Sequence, residues 1–196
     1  MIFNTTDPGI KNRLFKMKTV FKIGLHLSML ILFIHCEKEE PFAIIHDENF
    51  LDLLIEEGID ADGDGVISYQ EAESVTFLSI GGKNISSLKG IEAFTNLEWL
   101  SIYETSIKHI HLSALESLQT LMCDHNNLLT RLDLSDCVSL TGLVCESNSL
   151  SALDLSGNPE LRGLYCSGNF ITELDLSCNQ FLSKLDCADN SLSRLD

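Results

Sequence analysis

Positive charge is scarce in this chain. Only 13 Lys and Arg stand against 29 Asp and Glu in 196 residues, a formal net charge of −16. A protein that grips nucleic acid needs a basic footprint to neutralise phosphates, so that class is excluded. Catalytic constellations are missing too. There is no His-based nucleophile arrangement, no paired acid and base and no phosphate loop, and His109, His111 and His125 have no motif around them. An enzyme is therefore not expected. Long hydrophobic runs are also lacking, because the apolar stretch from Ile23 to Ile34 is too short for a comfortable membrane span.

What the chain does have is a repeat. The unit L-x-x-L-x-[CLI]-x-x-N-x-[LI] starts at Val75, Leu97, Leu118, Leu140, Leu161 and Leu182, at intervals of 22, 21, 22, 21 and 21 residues. A period of that size means a solenoid. Alternation at Leu164/Cys166 and Leu185/Cys187 puts both side chains of a copy on one face of a short strand. Stacked copies then form a parallel sheet over an apolar layer that no single copy could bury. Asn126, Asn148, Asn169 and Asn190 recur where each strand turns away, with Thr105 and Lys83 in the first copies. An inward carboxamide there carries both donors and acceptors for backbone groups that would otherwise be buried unpaired. Between the strands lie Leu132-Asp133-Leu134-Ser135, Leu153-Asp154-Leu155-Ser156 and Leu174-Asp175-Leu176-Ser177. Their alternation predicts extended or 3-10 segments, with no room for a long helix.

These copies resemble leucine-rich repeats. The resemblance implies an α/β solenoid with a parallel β-sheet on its concave face and extended or 3-10 segments on its convex side. About six copies span 75–196, the last of them truncated, so further repeats are expected beyond Asp196.

The N-terminal third reads differently. Lys16, Lys18 and Lys22 precede the apolar run, and Cys36-Glu37-Lys38-Glu39-Glu40 follows it. A basic segment before a short apolar one is an export signal, with Met17 as an alternative start. The junction resembles a bacterial lipoprotein signal of the Bacteroidetes type, although His35 departs from the usual small residue before the cysteine. The resemblance implies a signal over 1–35, a lipidated Cys36 anchored at the cell surface or outer membrane, and an acidic tether over 36–46. An uncleaved anchor or a conventional signal peptide are the alternatives.

A helix–loop–helix is expected over 47–74. Phe50, Leu53, Leu54 and Ile55 share a helical face, Asp47 or Asn49 caps it, and Gly58 lies near its end. The loop Asp60-Ala61-Asp62-Gly63-Asp64-Gly65-Val66-Ile67-Ser68-Tyr69-Gln70-Glu71 matches the EF-hand pattern at its diagnostic positions. Ca²⁺ takes six to eight hard oxygens, so the expected ligands are Asp60, Asp62, Asp64, the Val66 carbonyl, Ser68 and both oxygens of Glu71. The loop also resembles half of a dockerin module, but dockerins need two loops and this chain has one. Because Glu71 runs almost directly into the first repeat, the segment is read as an N-terminal cap with Phe77, Leu78 and Ile80 beneath it. Internalin-like proteins carry a helical cap of similar shape.

Cys123, Cys145, Cys166 and Cys187 fall at the inward sixth position of their copies and read as small buried hydrophobes. Cys137 and Cys178 are left as candidates for exposure. Outward positions carry Phe77, Trp99, Tyr103, Met122 and Tyr165, with Asp124 and Glu146 beside them; packing beneath the cap is the alternative for Phe77 and Trp99. Exposed aromatic residues ringed by charge have the character of binding hot spots. The expected role is recognition of an extracellular or surface protein, or adhesion to it. A surface glycan is the alternative ligand, suggested by the bare backbone at Gly142 and Gly163.

Overall fold

A computed structural model describes residues 42–82 and 84–195. The expected signal segment, Cys36, most of the tether and Lys83 lie outside the described residues.

The first strand, β1 (Phe42–Ala43), pairs antiparallel with β2 (Ile67–Ser68) across the intervening helix α1 (Glu48–Glu56) and the acidic loop. Asp47 is the residue that caps α1, its Oδ1 accepting the Asn49 and Phe50 N–H groups. Asn49 instead donates its amide to the Asn84 carbonyl. Phe50, Leu51, Leu53 and Leu54 bury one face of α1, and Ile55 is partly buried. Helix α2 (Tyr69–Glu73) has only five residues, so helical content is low. It begins with a capping box, in which the Ser68 hydroxyl accepts from Glu71 N–H while Glu71 accepts from Ser68 N–H.

From β3 (Phe77–Gly81) onward the chain winds as a parallel solenoid. Strands β4 (Trp99–Tyr103), β6 (Thr120–Met122), β8 (Gly142–Val144), β9 (Gly163–Tyr165) and β11 (Lys184–Asp186) follow β3 in one six-stranded sheet, with Leu78, Leu100, Leu121, Leu143, Leu164 and Leu185 in register. The convex side is extended as well. There β5 (His109–His111) pairs with β7 (Arg131–Asp133), β10 (Glu173–Leu174) pairs with β12 (Arg194–Leu195), and a 3-10 turn spans Ile91–Ala93. Leucines from both sides meet in one core, where Leu100, Leu121, Leu143 and Leu164 are fully buried.

Each strand leaves the sheet through a left-handed residue. Gly82, Glu104, His125, Ser147, Gly168 and Asp189 all have φ between 50° and 67°. This turn carries the chain into the Asn column. There Asn148 donates to the Cys123 and Cys145 carbonyls and accepts from Asn126 N–H, and Asn169 and Asn126 repeat the scheme.

The N-terminal unit is tied to the first repeat. Asp47 Oδ2 accepts from Ser86 N–H, the Ser86 hydroxyl and Ser87 N–H, while Asn96 donates to the Glu73 carbonyl. Gly90, at φ 109°, lies against Ile45, where a side chain would collide with the Ile44 carbonyl at 2.8 Å. Leu78 and Ile80 are buried in the same core as α1, as expected. Phe77 is not. It is 60% exposed, because β3 alternates and its first residue faces outward with Ser79 and Gly81.

Candidate functional site

Two sets of residues stand outside what the scaffold needs. The first is the acidic loop. Asp60 Oδ1 accepts from the Gly63 and Asp64 N–H groups, and its Oδ2 accepts from Gly65 N–H. Asp62 accepts from Asp64 N–H, and Asp64 from Val66 N–H. Gly63 and Gly65 supply the left-handed bends, at φ 73° and 84°. Glu71 closes the loop from its far end, Oε1 accepting from Ala61 N–H and Oε2 from the Ser68 N–H and hydroxyl, each at 2.8 Å.

One oxygen each from Asp60, Asp62 and Glu71 lie within 4.8 Å of one another. Asp64 is not in that group; its Oδ1 accepts from Val66 N–H, and the Ser68 hydroxyl donates to Glu71. Burial pushes the Glu71 carboxyl up, but hydrogen bonds from Ser68, Ala61 and Asp62 outweigh it and hold the group below its ordinary value. Between Lys38 and Lys83 the sequence contains twelve acids and no Lys or Arg. The donor set is therefore all hard oxygen with no basic residue in the segment, which suits a divalent cation of the calcium type.

The second set lies on the outer face of the six-stranded sheet. Phe77 and Trp99, register partners on β3 and β4, stack with ring centres 4.1 Å apart and planes 6° from parallel. Tyr103, 44% exposed, lays its ring over Gly81, where any side chain would overlap it. Met122, Val144 and Tyr165 form a half-buried column in register. Beside it run Asp124 and Glu146. The Asp124 carboxylate meets His125 Nδ1 at 2.7 Å, and Glu146 accepts from the Ser167 hydroxyl at 2.6 Å. Thr120, Gly142 and Gly163 leave a low floor next to Trp99, since a side chain at Gly142 would meet nothing closer than Thr120 at 3.8 Å.

The cysteines are not part of either set. Cys123, Cys145 and Cys166 are fully buried, and Cys187 is half-buried in the last described turn. Burial raises the Cys166 thiol to about 12 and pushes Cys123 and Cys145 up as well, so none offers a thiolate. Cys137, left open between exposure and burial by the sequence, is buried and points its thiol at the Leu112 carbonyl; Cys178 is exposed. A groove lined by Asp154, Ser156, Asp175, Ser177 and Cys178 lies on the convex side, away from the aromatic residues. The sequence also gave no sign of the His111–Asp133 contact, 2.8 Å across neighbouring convex strands.

Solved structures share this architecture. An internalin (InlF) from Listeria monocytogenes str. 4b F2365 matches over 80% of this chain and 48% of its own, at 21% identity and a TM-score of 0.65. A leucine-rich-repeat protein of Leptospira interrogans matches over 65% of this chain and 34% of its own, at 23% identity and a TM-score of 0.55. The LRIM1/APL1C complex contains a chain matching over 65% of this one and 25% of its own, at 24% identity and a TM-score of 0.56. No protein-family model and no curated protein matches the sequence. This chain spans less than half the length of the internalin it matches. At these identities the likeness is one of fold, and the fold is a parallel β-solenoid of leucine-rich-repeat type.

Proposed function

We propose that this chain is a recognition solenoid that binds another protein, or adheres to it, through the outer face of its six-stranded sheet. The observation that carries the reading is the exposed Phe77 stacked on the half-buried Trp99, with the exposed Tyr103 on the same strand as Trp99. Stacking one aromatic ring on another at the surface while the core is filled by leucine leaves apolar area that only a partner can cover. In keeping with this, the internalin and LRIM1/APL1C folds are of the same type, and the latter is itself a complex. The test is saturable binding to extracellular proteins. Trp99→Ala and Tyr103→Ala should each weaken it by about tenfold or more while leaving the melting temperature nearly unchanged, as expected of surface hot spots. Equal binding by both variants would refute the reading.

Export and anchoring through a lipidated Cys36 belong to the same proposal and rest on the sequence around that cysteine. Metabolic labelling with a fatty-acid analogue, lost in Cys36→Ala, is the check.

The acidic loop is assigned a structural calcium site. Asp60, Asp62 and Glu71 would hold the ion, with Asp64, the Val66 carbonyl and Ser68 completing the shell after local rearrangement. Bound calcium supplies the positive charge that this segment lacks. Asp60→Ala should abolish any calcium-dependent rise in melting temperature, and an identical rise in that variant would remove the site. A glycan is the second reading, favoured by the low floor at Gly142 and Gly163 beside Trp99. Competition by soluble oligosaccharide would promote it.

A further inference from the structure

The charge around the aromatic face narrows what can dock there. From β3 to β9 the outward positions of the sheet and its continuing ladder hold four aromatic residues, Met122 and Val144, two carboxylates, and no Lys or Arg. Asp124 and Glu146 occupy the same place in consecutive turns, both half-buried, where the preceding turn has Tyr103. Neighbouring strands set such groups about 4.8 Å apart, so the two carboxylates make a short acidic rail beside the apolar column. Glu146 has no cationic partner among the described residues, only the Ser167 hydroxyl. The nearest basic residues along the sheet are spent or peripheral: Arg162 lies over the Phe181 ring at 5.6 Å, and Lys184 is on the last strand.

We infer that the partner presents a basic segment, an Arg- or Lys-bearing loop or strand of a protein, to the rail formed by Asp124 and Glu146. This rests on the recognition reading above and deepens it. A long basic side chain suits both halves of the surface at once. Its methylene stem can lie along Met122 and Val144, its charged head can meet two carboxylates in adjacent turns, and a guanidinium can stack on Tyr103 or Tyr165. An acidic partner would be repelled by the rail and by the net charge of −16. A neutral glycan would leave the carboxylates without a counter-charge.

The experiment uses the full chain and two isosteric double variants of equal charge change. Asp124→Asn with Glu146→Gln alters the rail, while Asp154→Asn with Asp175→Asn alters the convex turns. A fluorescent peptide of alternating Arg and Ser is titrated into each at about 0.02 M and about 0.15 M salt, which brackets long and short screening lengths. The rail variant should weaken binding by about tenfold or more, and the convex variant by less than about twofold. Equal weakening by both would mean bulk attraction to an acidic chain and would overturn the inference. So would displacement of the peptide by a neutral oligosaccharide but not by an Arg-rich competitor. The same variants are run against any protein that binds through Trp99 and Tyr103. If its affinity survives loss of the rail, the basic segment is wrong while protein recognition stands; if binding never needs Trp99 or Tyr103, recognition through this face itself fails.

Discussion

The two faces of the solenoid both carry asparagines, but the two columns do different jobs. On the concave side the carbonyl of Cys123 accepts from Asn126 and Asn148, that of Cys145 from Asn148 and Asn169, and that of Cys166 from Asn169 and Asn190. Each carboxamide oxygen also accepts a backbone N–H of the preceding turn, as Asn148 does from Asn126 and Asn169 from Leu150. Every amide therefore bridges two turns. On the convex side Asn158 and Asn179 donate to carbonyls that already accept backbone N–H groups, such as Leu134 O from Cys137 N–H. Their Oδ1 atoms are buried with no protein partner. A repeat can thus look equally regular in two places while only one of them has its polar residue satisfied at both the donor and the acceptor end.

The sharpest way to break the comparison is Asn148→Ala. It strips one of two donors from each of two carbonyls and leaves the buried Asn126 N–H unpaired, which should cost about 3 kcal/mol. Chemical denaturation read by circular dichroism would show the loss, and a cost below about 1 kcal/mol would mean that the ladder is decorative.

Much of this was legible in the sequence, and the reason is periodicity. The leucine, cysteine and asparagine columns sit at fixed offsets, so their inward direction follows from alternation alone. The left-handed residue before each asparagine was not legible, because Glu104, His125, Ser147 and Asp189 share φ but no chemistry. Only Gly82 and Gly168 carried the hint. For Phe77 nearness to the N-terminal unit and strand alternation pointed opposite ways, under the cap or outward, and alternation prevails. Within the loop the spacing named six ligands; carboxylate oxygens of Asp60, Asp62 and Glu71 lie within 4.8 Å of one another, while Asp64 Oδ1 accepts from Val66 N–H and the Ser68 hydroxyl donates to Glu71.

The N-terminal unit sharpens the contrast, because there carboxylates satisfy the backbone where the repeats use amides. Asp47 caps α1 and grips Ser86 and Ser87, so Asp47→Ala should cost about 2 kcal/mol, a cap plus the link to the first repeat. The same chemistry makes this unit sensitive to acid. Burial raises the Asp47 and Glu71 carboxyls, but their hydrogen bonds outweigh it, so both groups are held below the ordinary values of 3.8 and 4.5. A depressed carboxyl stabilises the fold above its unfolded value and loses that contribution as pH falls through the folded one. Below about pH 4, amide hydrogen exchange should therefore rise in 47–74 before it rises in the concave ladder, whose carboxamides do not titrate. Simultaneous loss in both regions would contradict the division.

The smallest effect is expected where the convex column is already varied. Equivalent places in successive turns hold Leu115, Cys137, Asn158 and Asn179, all buried. At Cys137 a thiol lies 3.7 Å from the Leu112 carbonyl, the place where Asn158 meets Leu134 O. Asn158→Cys would give up two amide bonds to carbonyls that keep their backbone donors, and would also remove an oxygen that has no protein partner. These terms oppose one another, so the change should cost less than about 1 kcal/mol. Asn148→Cys in the concave column meets no such offset, because it orphans Asn126 N–H. Measured side by side, the two cysteine variants isolate position from residue type. A convex loss as large as the concave one would mean that the unpaired oxygens are satisfied by bound water, and the two ladders would then be equivalent.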